Sequence, residues 1–286
     1  MCLLVPLGAL LQGGPLNLPS LVLATFGAAL IAMWITQING LTDMTLDTLR
    51  SPKSAAAALD YRPWLRSATV TYLGLTGVVL IGLALNGTGR AVPPLLLFFW
   101  FGTLYSFNFL SRDPVRHRLK VHWLGHASVG VFGYFGLLAA GLSCASVPRS
   151  TVPVIVVYAI AAIQEYSLFL SESSLDSRDE GKLGLRSLGA TIGGNNSRLV
   201  AVLLWAGSAM AYSAVWLAFP EIDAPVLASA LLVYSATIGL FLVTILTRPV
   251  GASRSGLGRL CDIGFGMSRI TTLVVLILAR AVAAAV

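Results

Sequence analysis

The chain alternates long apolar runs with short polar stretches, and the length of the runs predicts the elements. A helix crossing a bilayer needs roughly 20 mostly apolar residues, because no water is present to satisfy exposed backbone groups. Eight runs reach that length, at 20–40, 67–86, 91–111, 121–144, 151–171, 199–218, 225–247 and 260–285. Pro19, Pro93, Pro94, Pro153 and Pro225 stand near their starts, where a missing N–H costs little. A ninth run, 1–11, is about half as long. It lacks the basic leader and small-residue cleavage site of a secretory signal and is read as a shortened first helix. The pattern predicts an all-α, polytopic membrane bundle of about nine transmembrane helices, the first short or truncated, around a central cavity. No linker divides the chain, so residues 1–286 are expected to form a single domain.

Composition agrees and excludes the main alternatives. Hydrophobic residues make up 56% of the chain and charged ones 11%, where soluble domains carry about 25%. A water-soluble globule, a disordered chain and a fibrous repeat are therefore excluded. Cys2, Cys144 and Cys261 are far apart and suggest neither a disulfide framework nor a zinc site. The net charge of +7 has a topological explanation: the alternating loops 41–66, 112–120, 172–198 and 248–259 hold 15 of the 19 lysines and arginines. Basic loops mark the cytoplasmic face, so nucleic acid is not expected as a partner.

Placement of the few acids carries the chemistry. Of 12 carboxylates, six fall in two short runs on the basic face, each ending a hydrophobic helix. Asn39, Asp43 and Asp47 end the run 20–40; Glu172, Asp176, Asp179 and Glu180 end the run 151–171. Residues four apart share a helix face, about 6 Å apart along the axis, so each run forms a stripe. Like charges stacked in this way destabilise a helix, and near hydrocarbon they cost more. Hard divalent cations held by oxygen ligands offset that repulsion, and magnesium typically uses one or two carboxylates together with substrate phosphates. Two stripes ringed by arginine and lysine make a site for a metal-bridged diphosphate. The bland alternative is a set of solvated loop acids pairing with nearby arginines.

At these residues the chain resembles the UbiA superfamily of intramembrane prenyltransferases. The family motif N-x-x-x-D-x-x-x-D is matched by Asn39, Asp43 and Asp47, and the second motif by Asp176, Glu180, Gly184, Ser187 and Leu188, with Glu180 where aspartate is usual. A Tyr-Ser element and a basic triplet are echoed by Tyr105-Ser106 and Arg118-Leu119-Lys120. The chain departs from the family between Phe107 and His117, which is longer than usual, and in lacking a basic first-helix segment. After the first motif it has Ser51-Pro52-Lys53 and then Arg62-Pro63, where many members have Arg-Pro.

The resemblance implies a nine-helix fold and transfer of a prenyl group from an allylic prenyl diphosphate to a lipophilic acceptor. Its Mg2+ ligands would come from Asn39, Asp43, Asp47, Asp176, Asp179 and Glu180, with Tyr105 also at the reacting centre. Lys53, Lys120, Lys182 and Arg186, with Arg118 as a weaker candidate, would neutralise the leaving diphosphate. An apolar, aromatic chamber must keep water from the allylic cation, and aromatic faces stabilise cations. Trp34, Phe98, Phe99, Trp100, Tyr105, Phe132 and Tyr134 are candidates for its wall, each also readable as a packing or lipid-facing residue. Two charged residues lie deeper in spans. Glu165 reads either as a base for the final proton or as a partner of Arg269, which reads either as a diphosphate contact or as that partner. His122 and His126 read as packing or capping residues. Membrane lipid would surround the prenyl tail. An intramembrane terpene cyclase of the same superfamily and a cation-binding transporter remain the rival readings.

Overall fold

A computed structural model describes residues 1–12, 14–50, 52–107, 110, 117–145, 152–182, 184, 186–219, 224–250 and 257–285. Within its helices, only the backbone is described at 43–50, 52–61, 176, 178–180, 182, 224, 257–259 and 283–285. The described residues are almost entirely helical: α1 (Leu4–Leu11), α2 (Leu18–Arg50), α3 (Pro52–Leu85), α4 (Val92–Ser106), α5 (Trp123–Ser128), α6 (Tyr134–Leu142), α7 (Val152–Lys182), α8 (Leu188–Ile192), α9 (Gly194–Ala218), α10 (Ala224–Leu246) and α11 (Leu257–Ala285). Among them there is no β-strand, only two isolated bridges.

Seven helical stretches are long and apolar enough to cross a membrane: Leu18–Thr42, Arg62–Leu85, Trp123–Leu142, Val152–Leu175, Gly194–Ala218, Pro225–Leu246 and Leu260–Val282. The sequence suggested eight, and the difference is the run 91–111. Its helix stops at Ser106, and Phe107 turns extended (φ −151°, ψ 107°), so α4 has 15 residues and spans about 22 Å. With the eight residues of α1, it completes the bundle without meeting the length of a full span.

Two helices extend well beyond their apolar runs. Helix α2 continues unbroken from the run 20–40 to Arg50, and α7 from the run 151–171 to Lys182. The acidic residues of both motifs therefore lie on helix, toward the ends of the rods that carry them. The span Trp123–Leu142 is interrupted by a π-helical turn, Val129–Gly133, between α5 and α6. Such bulges widen a helix locally and often mark functional sites.

Small residues set the close crossings. A Cβ on Gly141 of α6 would collide with the Val5 carbonyl of α1, and one on Gly8 with the Leu138 carbonyl. Without a hydrophobic driving force between helices in lipid, such backbone approach is a main source of packing energy. The α1–α2 link is tied to the end of α6 by the Asn17 N–H donating to the Cys144 carbonyl (3.0 Å), while the Asn17 side chain caps α2 by accepting from the Ser20 N–H. All three cysteines are free thiols.

Candidate active site

A cavity of about 580 Å³ lies between α2, α4, the α5–α6 span, α7 and α11. Each helix presents one stripe to it. From α7 come Glu165, Tyr166, Phe169 and Glu172, spaced by three and four residues; from α11 come Asp262, Phe265, Gly266 and Arg269 in the same periodicity. Thr36 and Asn39 of α2, Phe98 and Tyr105 of α4, His126 of α5 and Tyr134 of α6 close the wall. The π turn contributes Val129 and Gly130.

The first residue of each acidic stripe faces this cavity: Asn39 from α2 and Glu172, buried, from α7. The side chains of Asp43, Asp47, Asp176, Asp179 and Glu180 lie outside the described residues, as do those of Lys53 and Lys182. Their backbone positions are fixed by unbroken helix. Asp43 and Asp47 follow Asn39 by one and two turns of α2, and Asp176 and Glu180 follow Glu172 in the same way on α7.

Between these helix ends runs the basic segment. Arg118 is buried and its Nη1 donates to the Thr42 hydroxyl (3.1 Å), beside Asp43 in sequence. Lys120 borders a side pocket of about 30 Å³ with Ser173, Ser187 and Leu188, and His126, Tyr166 and Phe169 line both this pocket and the main cavity. A parallel backbone bridge joins His122 to Arg186. One short segment thus meets α2 at Thr42, borders a pocket with Ser173 of α7 and pairs with the loop of the second motif. Ser187 of that motif caps α8, its hydroxyl accepting from the Ala190 N–H (3.1 Å). The Arg186 side chain is exposed and does not line the cavity.

At the inner end lies a buried ion pair. Arg269 donates from Nε to Glu165 Oε1 (3.0 Å) and from Nη2 to Oε2 (2.6 Å), and the Tyr234 hydroxyl donates to Oε1 (2.7 Å). The guanidinium lies 5.0 Å from the centre of the Tyr134 ring and 5.7 Å from that of Phe265. Beside it, Gln164 Nε2 donates to the Ser235 hydroxyl (3.2 Å). Of the alternatives open for Glu165 and Arg269, the geometry is the mutual pair. Both carboxylate oxygens are engaged, which leaves Glu165 poorly suited to accept a proton.

The aromatic candidates divide. Phe98, Tyr105 and Tyr134 line the cavity; Trp34 is buried and stacked on Phe99 (4.5 Å), and Trp100 and Phe132 are exposed. Sequence reasoning missed Tyr166, Phe169, Phe265 and Tyr234 and read His126 as a packing residue. His126 stacks on Phe169 (3.6 Å) and meets Tyr105 edge-on (5.1 Å). The missed wall of α7 was signalled by Glu165 and Glu172, seven apart, with Tyr166 and Phe169 on the face between them.

The model of the UbiA prenyltransferase family matches residues 2–254, nearly the whole chain. The chain belongs to the UbiA prenyltransferase family. Solved structures agree on the fold of this UbiA chain. A UbiA homologue from Archaeoglobus fulgidus bound to GPP and Mg2+ superposes with a TM-score of 0.66 at 15% identity, over 95% of both chains. The apo UbiA homologue from Aeropyrum pernix K1 gives 0.68 at 15% identity, over 98% of this chain and 95% of that one. A structure of digeranylgeranylglyceryl phosphate synthase gives 0.60 at 13% identity, over 96% and 94%. No curated protein matches.

The donor set facing the cavity suits a hard dication. Asn39 and Glu172 would ligate through oxygen, and the described lining holds no cysteine. Among the described residues no three His, Cys, Asp or Glu side chains cluster as a metal site, and the motif aspartates stand outside that set.

Proposed function

We propose that this UbiA-family chain is a magnesium-dependent intramembrane prenyltransferase, a single domain over residues 1–286, that ionises an allylic prenyl diphosphate and transfers the prenyl group to a lipophilic, aromatic acceptor. The observation that carries this reading is that the heads of both acidic stripes, Asn39 and Glu172, line one cavity whose remaining wall is largely apolar and aromatic. The Archaeoglobus homologue of the same fold binds GPP and Mg2+, which supports a diphosphate and a dication in that place.

Asn39, Asp43, Asp47, Asp176, Asp179 and Glu180 would hold the metal. Magnesium there supplies charge neutralisation for the departing diphosphate, generally the largest catalytic contribution in such a step. The chain's own residues do the rest. Lys53, Lys120 and Lys182 bind the phosphate oxygens; Arg118, through Thr42, holds the end of α2 against the basic segment. Arg186 is exposed, and its backbone is bridged to that of His122. As the C1–O bond breaks, both electrons leave with the diphosphate. Tyr105, Phe98, His126 and Phe169 then surround the allylic cation with ring faces and exclude water. The acceptor's attacking carbon forms the new bond and gives up its proton to the freed diphosphate. Positive-inside placement of the loops supports a cytoplasmic motif-bearing face.

The test is pyrophosphate release with product analysis by mass spectrometry, offering donors of ten to twenty carbons with a panel of phenolic and quinone precursors. The reading expects prenylated product that requires magnesium and is lost in Asp43→Asn. Terpene hydrocarbon or alcohol formed without acceptor would transfer the assignment to cyclisation. Intact donor in every mixture would leave the transporter.

A further inference from the structure

At its inner end the cavity carries a buried ion pair, Glu165–Arg269, whose two charges neutralise each other. Among the described lining residues the acids are Glu165, Glu172 and Asp262 and the one arginine or lysine is Arg269, with Met1 lining the same cavity. Glu165 covers that cation with two hydrogen bonds, and Tyr234 fixes Glu165 from behind. The other described basic groups of the site, Arg118 and Lys120, stand at the opposite end, against Thr42 and beside Ser187. Glu165 precedes Glu172 by seven residues of α7, about 10 Å along the helix. A group resting on the Glu165–Arg269 pair is therefore out of reach of a diphosphate held between the acidic stripes.

A prenyl tail gains nothing from lying against an ion pair, and its natural surroundings are lipid. What the floor suits is the polar end of the acceptor. A carboxylate brought there would meet a guanidinium whose charge is already neutralised. Burying a charge without an uncompensated partner is strongly unfavourable, whereas a hydroxyl or carbonyl finds donors and acceptors at the same place. Building on the prenyltransferase reading above, we propose that the acceptor is an uncharged, hydroxyl- or carbonyl-bearing lipophile, and that Glu165 enforces this choice by keeping Arg269 neutralised. Glu165 is then a specificity-determining residue rather than a base.

The experiment compares acceptors that differ in charge and one methyl group: a hydroxybenzoate and its methyl ester, with geranyl diphosphate, magnesium and the full chain in lipid vesicles. For the wild type, kcat/KM for the ester exceeds that for the carboxylate by about tenfold or more. Glu165→Gln, which uncovers the guanidinium, narrows or inverts that ratio; Tyr234→Phe, which keeps the charge pair, leaves the ratio within about twofold. A loss of packing alone would lower both activities and leave their ratio unchanged. The wild-type ratio needs no variant, so misfolding of Glu165→Gln does not protect the proposal. A wild-type preference for the carboxylate, an unmoved ratio in a folded Glu165→Gln, or pyrophosphate release with transfer to neither acceptor overturns it. Absence of magnesium-dependent pyrophosphate release in every mixture overturns the prenyltransferase reading instead.

Discussion

Helices α3 and α7 are nearly equal in length and opposite in role. Their membrane spans have mean hydropathies of 2.0 and 1.7, yet 17% of the first is buried inside the protein and 61% of the second. Lipid is as apolar as a protein core, so hydropathy does not separate a lipid-facing helix from a central one. Polar residues do. Helix α7 buries Gln164, Glu165, Ser167, Ser171, Glu172, Ser173 and Ser174, whereas the described part of α3 buries Thr76 alone among its polar residues. A carboxylate cannot face hydrocarbon without large cost, so it turns inward and carries its helix to the cavity. Chemistry and architecture on α7 are set by the same side chains.

That contrast orders the expected effects of substitution. The largest belongs to the motif ends. Asp43→Asn or Asp176→Asn should lower kcat for pyrophosphate release by about 100- to 1,000-fold while the protein still folds, because each removes charge needed only as the diphosphate leaves. Next comes the deep pair. Arg269→Met strands a buried carboxylate and should destabilise by about 3–5 kcal/mol, seen as a lowered thermal transition in detergent. Pairing it with Glu165→Leu should recover most of that loss, since the uncompensated charge is gone. The crossing of α1 and α6 ranks third: Gly141→Val forces a side chain into the Val5 carbonyl and should cost about 1–3 kcal/mol by the same measurement. The smallest effect belongs to α3, where Val78→Leu, on an exposed face, should change stability by no more than about 0.5 kcal/mol. If Val78→Leu proved as damaging as Gly141→Val, α3 would have a protein partner and the contrast with α7 would fail.

Much of this was readable in the chain because two periodicities are strong in it. Apolar length marked the membrane helices, and the four-residue spacing of Asn39, Asp43 and Asp47 marked a stripe on a helix that does continue to Arg50. Charge inside an apolar run singled out Glu165 and Arg269 and left their mutual pairing as one of two open readings, without the bidentate geometry that ties up both carboxylate oxygens. The end of α4 was not readable, because the apolar run continues past Ser106 and hydropathy cannot report that Phe107 turns extended. Nor were the aromatic walls. Phe98 and Trp100 are two residues apart and equally apolar, yet one lines the cavity and the other faces outward. In a helix surrounded by lipid, no gradient of polarity tells such neighbours apart. Tyr234 was invisible for a related reason: its function is to hold Glu165 across 69 residues of chain, and no local pattern encodes that contact.

The account stands on two acidic helix ends acting on one diphosphate. Mass spectrometry of prenylated product from the wild type, from Asp43→Asn and from Asp176→Asn, each with magnesium and with a chelator, tests this most directly. Product should form in the wild type with magnesium alone and fall by about 100-fold or more in either variant. Product at the wild-type level without one of the two motifs, or in the presence of chelator, would contradict it.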